Sequence, residues 1–212
     1  MKQYFVKTPT ILQQLFRSFV WRFSTNRKEI YLTFDDGPTP KITNWVVSEL
    51  EKYNAKATFF CVGKNIILYP ETYNNIIANN HAIGNHTYHH HNGFKTNVKS
   101  YIESIMSTQQ LLDNSIKENS MLFRPPYGKI KRKQAKKLQK LGYKIIMWDV
   151  LSADFDSSIS NERCLKNVLK NAKSGSVVVF HDSVKAYDKL HYTLPKVLDY
   201  FSKKGYVFKA IS

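Results

Sequence analysis

Two adjacent carboxylates stand where a predicted strand ends. Residues 30–34 are apolar, β-branched or aromatic, and Gly37-Pro38 stops the strand, so Asp35 and Asp36 lie at its carboxyl end. Neighbouring like charges raise each other's pKa unless a cation lies between them. A turn that holds both acids therefore calls for a metal ion, an arginine or both. The alternative is a solvated turn, because Asp-Gly is also ordinary turn chemistry.

A second cluster is rich in histidine, since five of the seven histidines lie within residues 81–91. His86 and His90 are four residues apart, so a helical turn would place both on one face, as two ligands of one metal ion require. His86 with His89 is the competing pair. Two neutral imidazoles and one carboxylate of the acidic pair would form a metal site with open positions. The alternative is a solvent-exposed histidine-rich loop.

Three further polar clusters follow predicted strands. Residues 124–127 (Arg-Pro-Pro-Tyr) form a stiff loop, because proline fixes φ, and this loop can aim a guanidinium at a carboxylate. Asp149 and Asp154 leave another strand, and either could orient a histidine. His181 ends the apolar strand over residues 176–180, where a satisfied core histidine is the ordinary interpretation.

The elements that must position these groups alternate between strand and helix. Strands are predicted over residues 30–34, 57–62, 82–84, 121–123, 143–148, 176–180 and 206–208, and helices over 41–53, 98–117, 131–141, 162–172 and 194–203, with a broken helical stretch before residue 79. This alternation predicts an α/β fold with a parallel sheet or barrel. Because strand ends meet at one face of such a barrel, we expect the five polar clusters to share one pocket.

The composition indicates a globular chain with a basic surface. Of the 212 residues 42% are hydrophobic, and the net charge of +16 points to nucleic acid, an anionic membrane face or an acidic polymer as partner. No nucleic-acid motif accompanies the lysines, so no specific nucleic-acid partner is expected. Cys61 and Cys164 lack metal-site spacing. No G-x-S-x-G, P-loop or G-x-G-x-x-G motif occurs, which argues against the chemistries that use them.

One domain is predicted over residues 1–212, with residues 1–28 as an N-terminal helical extension. Residues 9–23 carry an amphipathic pattern, with apolar positions set against Arg17 and Arg22. A helix packed on the domain is the preferred interpretation, and peripheral membrane contact through residues 9–23 is the alternative. No secretory signal or bilayer-spanning run is seen, so we expect a cytoplasmic enzyme or one attached to the inner face of a membrane.

Four motifs in this order resemble those of a known family. Residues 33–38 (TFDDGP), His86-Thr87-x-x-His90, residues 124–127 (RPPY) and Val179-x-His181 are similar to the motif set of polysaccharide deacetylases with a NodB-type domain, carbohydrate esterase family 4. The resemblance covers about residues 31–181. It implies a distorted (β/α) barrel of the NodB/polysaccharide deacetylase type. It also implies a divalent metal, usually Zn²⁺ and sometimes Co²⁺ or Ni²⁺.

The resemblance implies a role for each site residue. The metal ligands would be Asp36, His86 and His90; the catalytic residues would be Asp35 as general base, Arg124 as its partner, His181 as general acid and Asp154 as the group that orients it; and the substrate-binding residues would be Tyr127 through its backbone N–H, with Phe155 and Val179 along the acetyl pocket. The family typically has Trp where Phe155 stands and Leu where Val179 stands. His89 and His91 are additional imidazoles that could compete as ligands.

The function implied is a metal-dependent hydrolase that removes N-acetyl groups from N-acetylglucosamine in a chitooligosaccharide or peptidoglycan-like carbohydrate. The basic surface would suit an anionic glycan. One alternative is a deacylase of the same mechanism that acts on a non-polymeric amide or ester. A second is a catalytically lapsed glycan-binding module, against which the complete motif set argues, because binding alone needs no acid–base pair.

Overall fold

A parallel sheet is the framework on which the polar clusters are held. The computed structural model describes residues 4–113 and 121–212. Its strands are β1 (Glu29–Asp35), β2 (Thr58–Cys61), β3 (Ala82–Asn85), β4 (Leu122–Phe123), β5 (Lys144–Ile145), β6 (Val150–Leu151), β7 (Val177–His181) and β8 (Val207–Phe208). The order is β5-β4-β3-β2-β1-β7-β6, and β8 pairs with β1. The predicted parallel α/β arrangement is thereby confirmed.

The first helix precedes β1, and the other helices lie between strands along the chain. The helices are α1 (Thr10–Leu15), α2 (Ile42–Glu51), α3 (Gly63–Leu68), α4 (Pro70–Ala78), α5 (Val98–Asp113), α6 (Arg132–Lys140), α7 (Asn161–Leu169) and α8 (Tyr187–Lys203). Residues 114–117, the last residues of the helix predicted over 98–117, lie outside the described residues. None of the described helices is long and apolar enough to cross a lipid bilayer.

Helix α8 begins two turns before the predicted residue 194. The predicted helix began next to Pro195, whereas in the structure this proline lies inside α8. Proline in a helix interior removes one hydrogen bond, and the helix persists here because a buried apolar stripe runs through it, with Leu190 and Leu194 both fully buried.

The central strand β1 presents different chemistry on its two faces. Leu32 and Phe34 are fully buried in the main hydrophobic core. Thr33 and Asp35 alternate with them and therefore lie on the opposite face, where both are also buried. The predicted strand is thus confirmed. The alternation explains why its last residue, Asp35, is buried on the face opposite the main core rather than exposed to solvent.

The strand predicted over residues 143–148 is shorter than expected, and a further strand that was not predicted follows it. β5 ends at Ile145, and a separate strand, β6, begins at Val150. Two carbonyl groups in the gap accept hydrogen bonds from the Arg124 guanidinium, those of Ile146 at 3.2 Å and Met147 at 3.0 Å. A buried side chain therefore satisfies polar groups that would otherwise need a neighbouring strand.

The N-terminal segment closes the space between the two ends of the sheet. Lys7 pairs antiparallel with Val150, and Val20 pairs parallel with Ile146. An ion pair of 2.6 Å between Lys7 and the buried Asp149 fixes the segment. The predicted helix over residues 9–23 is therefore wrong beyond the short helix α1, because backbone groups after it are used to complete the barrel.

Candidate active site

The carboxyl ends of the strands surround a cavity of about 780 Å³. Its lining comes from the carboxyl ends of β1, β6 and β7, from the segments after β1, β3, β4, β5, β6 and β7, and from one residue of the N-terminal segment. The lining residues are Tyr4, Asp35, Asp36, His86, His90, Pro125, Tyr127, Lys129, Trp148, Leu151, Phe155, Asp156, Ser157, Ser158, Val179, His181 and Lys185. The five polar clusters therefore meet in one pocket, as the strand order required.

Three of the lining residues converge as a set of metal ligands. The Oδ1 atom of Asp36 lies 3.1 Å from His90 Nε2 and 3.7 Å from His86 Nε2. The ligand atoms of the three side chains all lie within 4.8 Å of one another. The structure thus pairs His86 with His90, and the competing pair of His86 with His89 is not formed.

The backbone achieves this convergence without a helix. Residues 86–91 form no helical turn, and both Thr87 and His90 have positive φ, at 64° and 56°. Asp36 is also left-handed, with φ of 81°. The helical turn that would have placed the two histidines on one face is therefore not what brings them together. Left-handed residues reverse the chain locally, which turns His90 back toward His86.

The three side chains fit a divalent cation. Asp36 Oδ1 is buried and, among the described residues, accepts no well-aligned hydrogen bond, although two imidazole nitrogens face it. His86 Nδ1 lies 2.8 Å from the carbonyl oxygen of Arg124, which can only accept, so the proton resides on Nδ1 and the Nε2 lone pair is free. His86 Nε2 and Asp36 Oδ1 are therefore two lone-pair atoms that face each other, an arrangement that suits two ligands of one metal ion.

Electrostatics keeps these ligands in the form that binds a metal. Burial lowers the pKa of His86 to about 4, with Asp35 opposing the change, so the imidazole is neutral at neutral pH. For Asp36, burial favours a higher pKa, but the hydrogen-bonding contribution of His90 and the charges of His181 and His86 outweigh it and hold the pKa well below its usual range. Asp36 is therefore a carboxylate and His86 a neutral imidazole, the forms in which these two groups bind a metal.

The Tyr127 side chain has a role that the sequence did not indicate. Its hydroxyl lies 3.1 Å from His90 Nδ1, and the two rings contact edge to face at 4.6 Å between centroids. This partner directs the Nε2 atom of His90 toward Asp36. Tyr127 itself has φ of 61°, so the loop after β4 is strained at this residue.

Asp35 is held by a buried arginine. The Nη1 atom of Arg124 lies 2.7 Å from Asp35 Oδ1 and 2.7 Å from the Thr33 hydroxyl. The guanidinium is 0% exposed and stacks on the Phe60 ring, with 4.1 Å between the guanidinium carbon and the ring centroid. The predicted pairing of Arg124 with Asp35 is present in the geometry, and the charge of each buried group is compensated by the other.

His181 is oriented by Asp154, as the resemblance implied. Its Nδ1 atom and its backbone N–H lie 2.7 Å from the two carboxylate oxygens of the fully buried Asp154. Burial lowers the pKa of His181, but Asp154, with further help from Asp36 and Asp35, raises it to about 10. Asp149, the other acid considered for this task, instead holds the N-terminal segment.

The cavity walls contain more aromatic surface than the sequence indicated. Phe155 and Val179 line the cavity as expected, and Trp148 and Leu151 line it too. Tyr4 completes this wall: its ring meets the Phe155 ring edge to face at 5.5 Å, and its hydroxyl donates to Asp156. No sequence pattern connects residue 4 with residue 155, because the contact depends on how the N-terminal segment pairs with β6.

A buried acid supports the turn after β1. Asp182 Oδ1 accepts a hydrogen bond of 3.1 Å from the Gly37 backbone, and the Thr43 hydroxyl donates to its other oxygen. Burial, opposed by the Thr43 bond and reinforced by Asp36, raises the pKa of Asp182 to about 8. A Cβ atom on Gly37 would lie 2.0 Å from the Asp182 carboxyl, so glycine is required there.

The two additional imidazoles stay outside the cluster. His91 Nδ1 lies 3.0 Å from the Ser104 hydroxyl, and the His91 backbone donates to Thr87. His89 is exposed. Neither belongs to the group of converging ligand atoms formed by the described residues.

Comparisons with known proteins agree with this geometry. The family described as polysaccharide deacetylase matches residues 23–146. A peptidoglycan-N-acetylglucosamine deacetylase of Bacillus cereus is 36% identical over 173 residues, which are 78% of this chain and 62% of that protein, so the chain spans less than two thirds of this relative. A second Bacillus cereus protein of the same name is 33% identical over 193 residues, covering 91% of this chain and 90% of that protein.

A solved structure gives the same result for the fold. The crystal structure of the Bc1960 peptidoglycan N-acetylglucosamine deacetylase, in complex with 4-naphthalen-1-yl-N-oxidanyl-benzamide, matches with a TM-score of 0.88 at 31% identity and covers 96% of this chain and 95% of that one. The predicted distorted (β/α) barrel is therefore confirmed. With its fold, its ordered motifs and its converging Asp-His-His cluster, the chain belongs to the polysaccharide deacetylase family.

Proposed function

We propose that this protein is a metal-dependent hydrolase that removes the N-acetyl group from N-acetylglucosamine residues of a glycan. The observation that carries the proposal is the orphaned Oδ1 atom of Asp36, which faces two imidazole nitrogens. A buried acid–arginine pair and a buried acid–histidine pair line the same cavity. A module that only binds a glycan needs the cavity alone. Hydrolysis of an amide also needs the metal ligands, the acid–arginine pair and the acid–histidine pair.

Asp36, His86 and His90 would hold the cation, and Zn²⁺ suits this set best. Zinc takes imidazole and carboxylate ligands and leaves an open position in catalytic sites. Co²⁺ and Ni²⁺ accept the same ligands and are the alternatives. A divalent cation bound there would act as a Lewis acid toward the amide carbonyl and make a neighbouring water more acidic.

Asp35 would act as the general base. Its buried carboxylate lies beside the candidate metal ligands, and the Arg124 guanidinium compensates its charge. In this role Asp35 accepts a proton from the attacking water while the new carbon–oxygen bond forms. Thr33 shares the same guanidinium nitrogen and fixes its position.

Tyr127 and His181 would complete the reaction from two sides of the cavity. The Tyr127 backbone N–H donates to the carbonyl oxygen as negative charge develops on it. The charged imidazole of His181, held by Asp154, gives its Nε2 proton to the nitrogen of the amide, so that the carbon–nitrogen bond breaks and a neutral amine leaves. Acetate is the second product.

The walls of the cavity favour an acetyl group attached to a sugar. Val179, Leu151 and Phe155 supply an apolar surface for the methyl group, and Trp148 offers an aromatic ring to a pyranose. Lys129 and Lys185 are exposed at the same cavity. Two ammonium groups there fit a glycan with carboxylate or phosphate substituents beside the acetylated sugar.

The test is acetate release from a neutral chitooligosaccharide and from peptidoglycan, each measured with metal-free protein and after addition of Zn²⁺, Co²⁺, Ni²⁺ or Mg²⁺. We expect release only with a transition-metal ion. The Asp35→Asn variant should bind the same ion with nearly the same affinity and release acetate about 10²- to 10⁴-fold more slowly.

Two results would contradict the proposal. Metal-free protein as active as the reloaded protein would exclude the role of the Asp-His-His cluster. Unchanged release by the Asp35→Asn variant would exclude the role of Asp35 as base. Absence of release from both glycans, with metal bound, would support a non-polymeric substrate or a lapsed enzyme.

A further inference from the structure

Helix α1 projects apolar side chains into solvent. The helix buries none of its residues, and Ile11 and Leu15, which are four residues apart and so lie on the same side, are 74% and 72% exposed. The preferred interpretation of the sequence, a helix packed on the domain, does not hold for this part of the segment. Exposed aliphatic side chains on a surface helix commonly mark a site of interaction.

The same segment is basic and free of acids. Residues 1–28 include six lysines and arginines and no aspartate or glutamate. Arg17 and Arg22, which follow α1, are both exposed. Positive charge and exposed aliphatic groups therefore occur together on this part of the chain.

A second acid-free segment adjoins the first. Residues 129–144, which contain α6, include eight lysines and arginines and no acid. The exposed positions of α6 are all cationic, at Arg132, Lys133, Lys136, Lys137 and Lys140. Gln139 of this helix donates a 2.9 Å hydrogen bond to the Ser18 carbonyl, and Phe19 packs against the core cluster that contains Leu138.

We propose that the exposed side chains of α1 and α6, here called the docking face, bind the surface of an anionic lipid bilayer. Anionic lipids attract clustered lysines and arginines, and aliphatic side chains such as Ile11 and Leu15 gain by entering the boundary between headgroups and acyl chains. A soluble anionic polymer would satisfy the cations but would leave the aliphatic side chains in water. The combination therefore favours a lipid surface.

The position of the docking face suits the proposed reaction but does not depend on it. Tyr4 lines the cavity and Ile11 lies on the docking face, and seven residues of extended chain span at most about 25 Å. A protein bound by this face would hold its cavity close to the membrane. The binding itself can be tested with metal-free protein, so its outcome is independent of the deacetylase activity.

The test is co-sedimentation with large vesicles of phosphatidylcholine alone or mixed with phosphatidylglycerol, at low and high salt. We expect binding to the anionic vesicles that weakens as salt rises. Ile11→Ser/Leu15→Ser and Lys136→Glu/Lys137→Glu should each weaken it at least about tenfold, the first through lost apolar burial and the second through lost attraction.

Matched controls separate this face from the overall charge and hydrophobicity. Ile67 and Leu68 are another exposed aliphatic pair, each 53% exposed, so Ile67→Ser/Leu68→Ser should leave binding unchanged. Lys196→Glu/Lys209→Glu changes the net charge by the same amount as the α6 variant and should have little effect. Circular dichroism verifies that each variant is folded.

A direct probe of depth is the Ile11→Trp variant. Its added fluorescence should shift to shorter wavelength with anionic vesicles and be quenched by brominated lipid, whereas Ile67→Trp should show neither effect. The proposal fails if wild-type protein does not bind anionic vesicles at low salt, or if the control pairs weaken binding as much as the docking-face pairs. It also fails if Ile11→Ser/Leu15→Ser binds normally and a soluble polyanion displaces the protein, since the face would then recognise a polymer.

Discussion

Two neighbouring acids in this site have opposite surroundings. Asp35 ends strand β1 in extended conformation, and its carboxylate is satisfied by the buried guanidinium of Arg124. Asp36 follows it in left-handed conformation, and its buried Oδ1 atom faces the Nε2 atoms of His86 and His90. One chain position therefore separates a carboxylate paired with an arginine from a carboxylate placed among candidate metal ligands.

The difference shows how one turn can supply both halves of the reaction. If both acids shared one cation, protonation of one would change the pKa of the other, because neighbouring like charges titrate as a coupled pair. With Arg124 serving Asp35 and a metal serving Asp36, the two acids can hold separate tasks. Substitution of Asp35 and substitution of Asp36 should accordingly impair different properties of the protein.

The largest effect is expected at Asp36. An amide cannot supply the anionic ligand, so Asp36→Asn should lose the metal and with it several kcal/mol of transition-state stabilisation, a loss of activity of about 10³-fold or more. Asp35→Asn is the matched variant, equal in size and chemistry, and should retain the metal. Metal content by mass spectrometry and acetate release, measured on both proteins, make the comparison. Equal metal content in the two variants would overturn the division of tasks.

The next effect is on stability and arises at Arg124. Its guanidinium is fully buried, so Arg124→Met leaves the Asp35 carboxylate without its partner and should lower the free energy of unfolding by about 3–5 kcal/mol. Denaturant unfolding of metal-free protein measures this. The double variant with Asp35→Asn should recover part of the loss, because no uncompensated charge remains. Arg132→Met, on the exposed face of α6, is the control and should change stability little.

A smaller effect should appear in the pH dependence. Burial opposes the charge of His181, yet Asp154 and the acids near the metal raise its pKa to about 10, so the imidazole is charged and able to act as an acid at neutral pH. The stability gained from this charge is fully present below the ordinary histidine pKa near 6.5 and is lost as the pH rises through about 10. A bound cation would reduce the contributions of Asp36 and Asp35.

Asp154→Asn removes the main group that raises the pKa of His181. The alkaline limb of kcat/KM should therefore move to lower pH, and activity at neutral pH should fall about 10- to 100-fold. Metal content should stay unchanged, because Asp154 lies outside the Asp-His-His cluster. An alkaline limb at the same pH in both proteins would show that His181 is not the group that titrates.

Much of this site could be predicted because it depends on strand ends. Apolar runs before Asp35, Arg124 and His181 identify parallel strands, and parallel strands place their carboxyl ends at one edge. The structure confirms that these residues meet. His86 and His90 also converge with Asp36, as the four-residue spacing suggested, although no helical turn brings them together.

Two features could not be predicted: left-handed conformations at residues other than glycine, and pairing between distant segments of the chain. The left-handed residues Thr87 and His90 are not glycines, so their conformation has no signal in the sequence. The pairing of Lys7 with Val150 joins segments more than 140 residues apart, and an amphipathic pattern over residues 9–23 gave no indication of it. Tyr4 reaches the cavity only because of that pairing.

The smallest effect is expected at Tyr4, a residue of the cavity wall, and it should appear in KM rather than in the properties that depend on Asp35 and Asp36. Tyr4→Ala removes a ring that packs on Phe155 and lines the cavity, so KM for a glycan should rise about 2- to 10-fold, as expected for one aromatic contact. Metal content and kcat should be nearly unchanged, because Tyr4 belongs to the cavity wall that contains Phe155 and Asp156. Tyr4→Phe keeps the ring, so its KM should lie between the values of the wild type and of Tyr4→Ala.

Phe5→Ala is the control, since Phe5 alternates with Tyr4 and is exposed. A fall in kcat with unchanged KM would mean instead that Tyr4 acts through Phe155 on His181, whose ring lies 5.1 Å from that of Phe155.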